Sequence, residues 1–344
     1  MSEADFPTAI SAGPEWFPHE LDAAGERASL LRMSEEDYRR ASFLDQRILT
    51  PASQTRQVAW TQLAQAMPAD ARRDVQFIFH IGNVGSTLIS RMLGELPGVF
   101  ALREPLLLRS FAELVARWPD SEAEQRIATL RALLSRTFRP GQRAIVKATS
   151  FTSEIAARLV PPGSAALFLF ATPQHYLENI MAGENSGRTA EMLAPSRVAR
   201  LARRCPGFAV DPARLPPAHK AALGWACEMS SLEVNAAQLP PGRAMWLDFD
   251  LFLTAPAGHF AAVAAHFGHA LEPATARAVA EGPLLRRYSK APEYEYSPQL
   301  RHDILAEARW THGAAIRDAL GWLSQLASRY PALAQAIRRA RKEG

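Results

Sequence analysis

Six consecutive residues, Gly82-Asn83-Val84-Gly85-Ser86-Thr87, have the composition of a turn that holds an anion. They follow an apolar run (Val75, Phe77, Ile78, Phe79, Ile81) that reads as a strand covered on both faces. They precede Leu88, Ile89, Met92, Leu93 and Leu96, whose helical spacing buries one face. Glycines at such a turn permit positive φ and a close approach to the backbone. Main-chain N–H groups then converge at the positive end of a helix dipole, which suits a phosphate above all. The nucleoside-triphosphate pattern G-x-x-x-x-G-K-[ST] is absent: the stretch is two residues shorter between its glycines and has no lysine. The plainer alternative is a tight strand-to-helix turn that binds nothing.

Acid–base candidates fall close by. Glu104, between Arg103 and Pro105, is expected to end the next strand beside this turn, with Pro105 biasing it toward extended backbone. A structural ion pair with an arginine is its plainer role. His80 is a second candidate base, or a hydrogen-bonded core histidine. Lys147 ends the short run Arg143–Lys147, where it can bring positive charge to the turn or end its strand in solvent. Asp248 follows another apolar run, Arg243–Phe249, and reads either as a magnesium-holding acid or as part of a helix start capped by Asp250.

The elements that must position these groups alternate. Strands are expected near Val75–Ile81, before Arg103, at Arg143–Lys147, at Ala165–Ala171 and at Arg243–Phe249, with helical patterns between them. This implies βαβ units and a parallel sheet, with ligands at the C-terminal ends of its strands. The candidates Gly82–Thr87, Arg103-Glu104, Lys147–Ser150 and Thr172–Asn179 all fall there. Three segments before the sheet, within His19 to about Met67, read as a helical cap, with Ser34 as a helix start. Ser42–Arg47 reads as packing. Residues 184–218 read as a mobile loop around Glu184–Arg188, then a helix near Pro195–Arg204. Their basic set Arg188, Arg197, Arg200, Arg203 and Arg204 reads as a solvated face, or as a lid that reaches the ligand. His219–Leu239, Gln299–Leu326 and Pro331–Lys342 read as helices, the last ending in a solvated basic tail. The expected organisation is an arm and cap over 1–70, an α/β domain over 71–298 and C-terminal helices over 299–344 packed on the same domain.

The chain has 344 residues, 48% hydrophobic and 22% charged, ample for a core. With 39 Lys+Arg against 35 Asp+Glu it is mildly basic, at +4. That fits an anionic ligand and is too weak to argue for nucleic acid. The two cysteines, Cys205 and Cys227, offer neither C-x-x-C nor a disulfide framework. No signal peptide and no apolar run long enough to span a bilayer is visible. The expectation is a soluble cytoplasmic protein.

Gly85-Ser86-Thr87-Leu88, followed by Arg103-Glu104-Pro105, resembles the sulfotransferase superfamily, and its bacterial branches with Glu-Pro after the loop. Asp248-Phe249-Asp250-Leu251 with Phe267-Gly268 resembles that family's Y-E-D-L…F-L-G segment. The resemblance covers about Asp74–Gly268. It implies an α/β fold with a P-loop NTPase-like parallel sheet flanked by helices, here with a helical N-terminal cap and a helical C-terminal extension. It implies sulfuryl transfer from 3′-phosphoadenosine 5′-phosphosulfate (PAPS), needing no metal. The acceptor is an unidentified hydroxyl or amine, on a small molecule or on a peptide or protein side chain. Residues Gly82, Asn83, Val84, Gly85, Ser86 and Thr87 would hold the phosphosulfate end, and Glu104 would be the base. Lys147 would replace the lysine usual in the loop, where Asn83 stands. Asn179 takes the place of a phosphate-binding serine, and a later basic segment implies Arg287 and Lys290 at the 3′-phosphate. Ala171 and Gln174 stand where that pattern, R-D-P-R-x-x-x-x-S, has arginines. A nucleotide-dependent phosphotransferase with Asp248 on magnesium, and a non-catalytic binding protein on the same fold, stay open beside it.

Overall fold

The computed structural model describes residues 6–289 and 293–343. Five parallel strands form its centre: β4 (Gln76–His80), β5 (Val99–Arg103), β6 (Arg143–Lys147), β7 (Ala166–Phe170) and β8 (Ala244–Asp248), in the order β5-β6-β4-β7-β8. Every residue of β4 and β7 is buried, as continuous apolar runs under helices on both faces require. From β4 the chain passes to β5 and back to β6, then crosses to β7 and β8 on the other side. The strand order therefore reverses at β4. The crevice beyond the C-terminal ends of its strands is where open α/β sheets bind ligands. This is the α/β fold, a parallel sheet flanked by helices, that the strand–helix alternation predicts.

The N-terminal region departs from the helical cap expected over His19–Met67. A three-stranded antiparallel sheet stands there instead: β1 (Trp16–Leu21), β2 (Arg27–Arg32) and β3 (Thr55–Ala59), in chain order. Only the short helices Glu35–Arg40 and Trp60–Ala66 follow the helical reading. The physical reason is the turn at Gly25. Its φ is +78°, and a Cβ there would lie 2.8 Å from the Trp118 ring. The Gly25 N–H donates to the Asp22 carbonyl and the Asp22 N–H to the Arg27 carbonyl, so the chain folds back as a hairpin. The apolar residues of Arg27–Arg32 suit a strand as well as a helix at that length. Ser34 does start a helix: its hydroxyl accepts from the Asp37 N–H and the Asp37 carboxylate accepts from the Ser34 N–H.

One hydrophobic cluster joins this small sheet to the large one. Buried Tyr38 packs edge-on against Phe100 and Phe17, ring centroids 5.0 and 5.7 Å apart. The Leu44 N–H donates to the Arg103 carbonyl and the Leu106 N–H to the Leu44 carbonyl. The stretch Ser42–Arg47 thus wraps the end of β5.

Residues 184–204 form one helix, Glu184–Arg204, that runs through Pro195, in place of the expected loop and shorter helix. Of its basic set, Arg188 and Arg203 are solvated as expected, but Arg197 and Arg200 are buried and Arg204 is half-buried. Arg200 makes a two-pronged pair with Glu228 (2.8 and 2.8 Å), and Arg204 pairs with Glu154 (2.7 Å). Arg197 lies 3.6 Å from the same Glu228. Burial of these pairs against helix Pro217–Ala236 holds the helix through the proline, which local propensity disfavours. The C-terminal helix Pro298–Arg329 packs on helices Pro173–Ala182 and Pro217–Ala236. In the basic tail, Arg339 donates to Glu233 at 2.7 Å, so that residue is held rather than solvated. Among the described residues no helix is long and apolar enough to cross a membrane.

Candidate active site

The turn after β4 has the expected shape. Gly82, Asn83 and Gly85 have φ of +86°, +56° and +66°, and the helix Ser86–Gly94 starts directly after it. At Gly85 no other residue fits: a Cβ would lie 1.9 Å from the Phe249 ring, which covers the turn. A cavity of about 280 Å³ opens beside the turn. Asn83, Val84, Gly85, Ser86 and Thr87 line it, as do Asn179 and Arg287. Seven of the predicted nucleotide-site residues therefore share one space. Thr87 is only 1% exposed, and its hydroxyl has no hydrogen-bond partner. A buried hydroxyl left unbonded in the first turn of a helix is uncommon.

Gly82 does not join that cradle. Its N–H donates to Nδ1 of His80 at 3.0 Å, because the left-handed turn folds the amide back toward the strand end. Lys290 lies outside the described residues.

On the β5 and β6 side of the turn, the three acid–base candidates form a second cluster. The Lys147 ammonium, fully buried, donates to the Glu104 carboxylate. His80 Nε2 lies 3.9 Å from the same carboxylate oxygen. Since Nδ1 of His80 accepts from a main-chain N–H, the neutral ring carries its proton on Nε2, toward Glu104. Glu104 is the accessible member, its side chain 17% exposed against 0% for Lys147 and 5% for His80. Its backbone is not extended, as Pro105 suggested, but at φ +51°. The Glu104 N–H donates to the Lys147 carbonyl at 2.6 Å, and this ladder bond together with the buried ammonium holds the strained conformation. Phe43 closes the cluster, its ring centroid 5.4 Å from the Lys147 nitrogen, so Ser42–Arg47 does more than pack.

Glu104 pairs with Lys147 and not, as its plainer role would have it, with its neighbour Arg103. Arg103 instead donates to the carbonyls of Ala41 (2.7 Å), Tyr38 and Arg39. Burial, with Arg91 adding to it, lowers its guanidinium to about 9.

After β7, Gln174 donates to Glu178 at 2.9 Å, and fully buried Glu178 takes a two-pronged pair from Arg309 (2.6 and 3.0 Å). After β8, Asp248, not Asp250, caps the next helix: its Oδ1 accepts from the N–H groups of Asp250 and Leu251 at 2.7 and 3.0 Å. Burial raises its carboxyl above the ordinary range, although those N–H bonds oppose it. Asp250 takes Arg301 at 2.7 and 3.2 Å and His175 at 3.1 Å. Burial alone would raise the Asp250 carboxyl, but the hydrogen bonds from His175 and Arg301 outweigh it and hold it at about 2. Asp250 in turn raises His175 above its usual value. Among the described residues no group of three or more His, Cys, Asp or Glu could hold a metal.

Arg301 and Tyr296 also line the cavity, and the sequence contains no signal for either. Arg301 stands inside a long helix, more than two hundred residues from the turn, with nothing local to separate it from a solvated arginine.

No family model matches the chain, and no curated protein matches it. Solved structures similar to it are sulfotransferases. Sulfotransferase STF1 from Mycobacterium tuberculosis H37Rv is 15% identical, with a TM-score of 0.43, over 72% of this chain and 82% of that one. The sulfotransferase domain from the curacin biosynthetic pathway is 14% identical, with a TM-score of 0.42, over 67% and 86%. Mouse sulfotransferase SULT7A1, complexed with PAP, is 13% identical, with a TM-score of 0.33, over 64% and 68%.

Proposed function

We propose that this protein transfers a sulfuryl group from PAPS to a hydroxyl or amine acceptor, with Glu104 as general base. The observation that carries the reading is one turn serving two clusters. On one side Thr87, with an orphaned hydroxyl, lines a cavity beside Arg287. On the other, Glu104, Lys147 and His80 converge. The cavity of about 280 Å³ is at the lower edge of the range for small-molecule sites.

PAPS would supply the sulfuryl group and depart as adenosine 3′,5′-bisphosphate. First-turn N–H groups at Ser86 and Thr87 and the Thr87 hydroxyl would hold the anionic end and stabilise charge on the leaving oxygen. Glu104 takes the acceptor's proton on its accessible carboxylate. Lys147 holds that carboxylate in place, and the His80 Nε2–H faces it. His80 is the poorer base, because one ring nitrogen is occupied by Gly82 and the other carries the proton.

Thermal shift tests the reading. Adenosine 3′,5′-bisphosphate at a hundred times its Kd adds about 2.7 kcal/mol of stability, whereas ATP-Mg and inorganic phosphate are expected to add little. Stabilisation by ATP-Mg alone selects the phosphotransferase, and silence from all three selects the binding protein. Glu104→Gln should keep bisphosphate binding and lose PAPS turnover. Unchanged turnover removes Glu104 from the role.

A further inference from the structure

We infer that the outer edge of β5 is a docking site for an acidic peptide, which adds a short strand there and sets a carboxylate against Arg91 and Arg103. The groove along this edge shares no lining residue with the cavity beside the turn. The inference therefore stands apart from the sulfuryl-transfer reading.

β5 is an outer strand of the parallel sheet, with β6 on its inner side. The Arg143 N–H donates to the Gly98 carbonyl, and the Glu104 N–H donates to the Lys147 carbonyl. In a parallel ladder the bonding residues alternate, so Phe100 and Leu102 also face β6. Val99, Ala101 and Arg103 turn their main-chain groups outward. At one end the Val99 N–H donates to the Leu96 carbonyl, and at the other the Leu44 N–H donates to the Arg103 carbonyl. Four groups between them have no partner among the described residues: the Val99 and Ala101 carbonyls and the Ala101 and Arg103 N–H groups. Two acceptors and two donors in strand order are what an added strand pairs with. A small anion meets the donors and leaves the carbonyls bare.

Val99, Phe100 and Ala101 line a groove of about 300 Å³, and its charge selects the peptide. Four arginines (Arg39, Arg91, Arg103 and Arg139) line it against two carboxylates, Glu35 and Glu95. Glu35 is already taken by Arg139. Arg91 and Arg103 form no ion pair among the described residues. Arg91 donates to the Ser289 carbonyl and the Ser42 hydroxyl, and Arg103 to three main-chain carbonyls. Nη1 of each guanidinium has no acceptor there. Arg103 is only 3% exposed. Burial pulls both guanidiniums below the ordinary value, and Glu95 opposes this at Arg91 alone. A carboxylate on the incoming strand supplies the charge-assisted bonds that both lack.

The test is calorimetric titration of the full chain with a capped peptide that alternates Glu with Val, and with the same peptide carrying Gln for Glu. The acidic peptide should bind with a Kd below about 1 mM, and about tenfold or more tighter than the glutamine peptide. Arg91→Gln should erase most of that preference and leave the glutamine peptide within about twofold. Ala101→Pro removes one outward N–H at a sheet edge, where proline is tolerated, and should weaken both peptides by about fivefold. Methylating the amide nitrogens of the acidic peptide asks the same question without altering the protein, and should weaken binding at least as much. Saturating adenosine 3′,5′-bisphosphate should leave the Kd of the peptide unchanged. No binding of the acidic peptide, equal affinity for the two peptides, or full affinity after methylation overturns the site. Competition with the bisphosphate overturns it too, since the peptide would then lie in the cavity beside the turn.

Discussion

At Gly85 two demands meet: a φ of +66°, and the face of the Phe249 ring where a side chain would be. Gly85→Ala should therefore cost about 2–4 kcal/mol, from the left-handed backbone plus displacement of a packed ring. Urea titration reads it as a lowered midpoint, and loss of nucleotide stabilisation should accompany it. A midpoint within error of wild type would mean the ring yields freely. Glu104 shows the complementary case, a non-glycine residue held at φ +51° where its carboxylate meets Lys147 and His80. Strain of this kind survives only where surroundings over-determine it, here a buried ammonium and a short main-chain bond.

Among elements, helices Glu184–Arg204 and Pro217–Ala236 are held by Arg200, Arg197 and Glu228, all three buried. Burial opposes charge on Arg200, but Glu228 outweighs it and raises the guanidinium above its ordinary value. Glu228→Gln would leave two buried cations with one fewer carboxylate, which should cost about 3–5 kcal/mol. Glu184→Gln, at the exposed end of the same helix, should leave the midpoint unchanged, since its pair with Arg188 is solvated. Equal effects of the two would remove the buried cluster as the reason this helix continues through Pro195. The N-terminal hairpin carries a related lesson. Arg27–Arg32 has apolar residues that fit a strand or a helix, and Gly25 against Trp118 decides between them.

For the whole molecule the pH response follows from Asp250 and His175. Asp250 in the fold is depressed to about 2 from an ordinary 3.8. Its contribution, on the order of 2 kcal/mol, is complete above the ordinary value and vanishes as pH falls through about 2. His175 is raised, so its contribution is complete below its ordinary 6.5 and is lost as pH climbs through the folded value. Asp248, raised by burial, works against the acid arm, since its contribution fades as pH rises. Denaturant midpoints across pH should show Asp250→Asn less stable than wild type at neutral pH and flatter between pH 4 and 2. A variant that tracks the wild type through that window would remove Asp250 as the source of the acid limb.

By themselves, the residues determined the strand, turn and helix from Val75 to Leu96, the other strands of the parallel sheet, and the ends where Glu104, His80 and Lys147 stand. Those features are local: apolar runs, glycines and capping groups act over a few residues, so their consequences are written where they occur. The fate of the basic stretch 184–204, the three-stranded sheet before the core, the diversion of the Gly82 amide to His80, and the arrival of Arg301 and Tyr296 at the cavity were decided only in three dimensions. Apart from the Gly82 amide, whose partner His80 stands two residues away, each depends on a partner far along the chain, whether Glu228, Trp118 or the Asp250 carboxylate. Whether an arginine is solvated or buried, or a hydroxyl bonded or orphaned, is settled by what the fold brings against it.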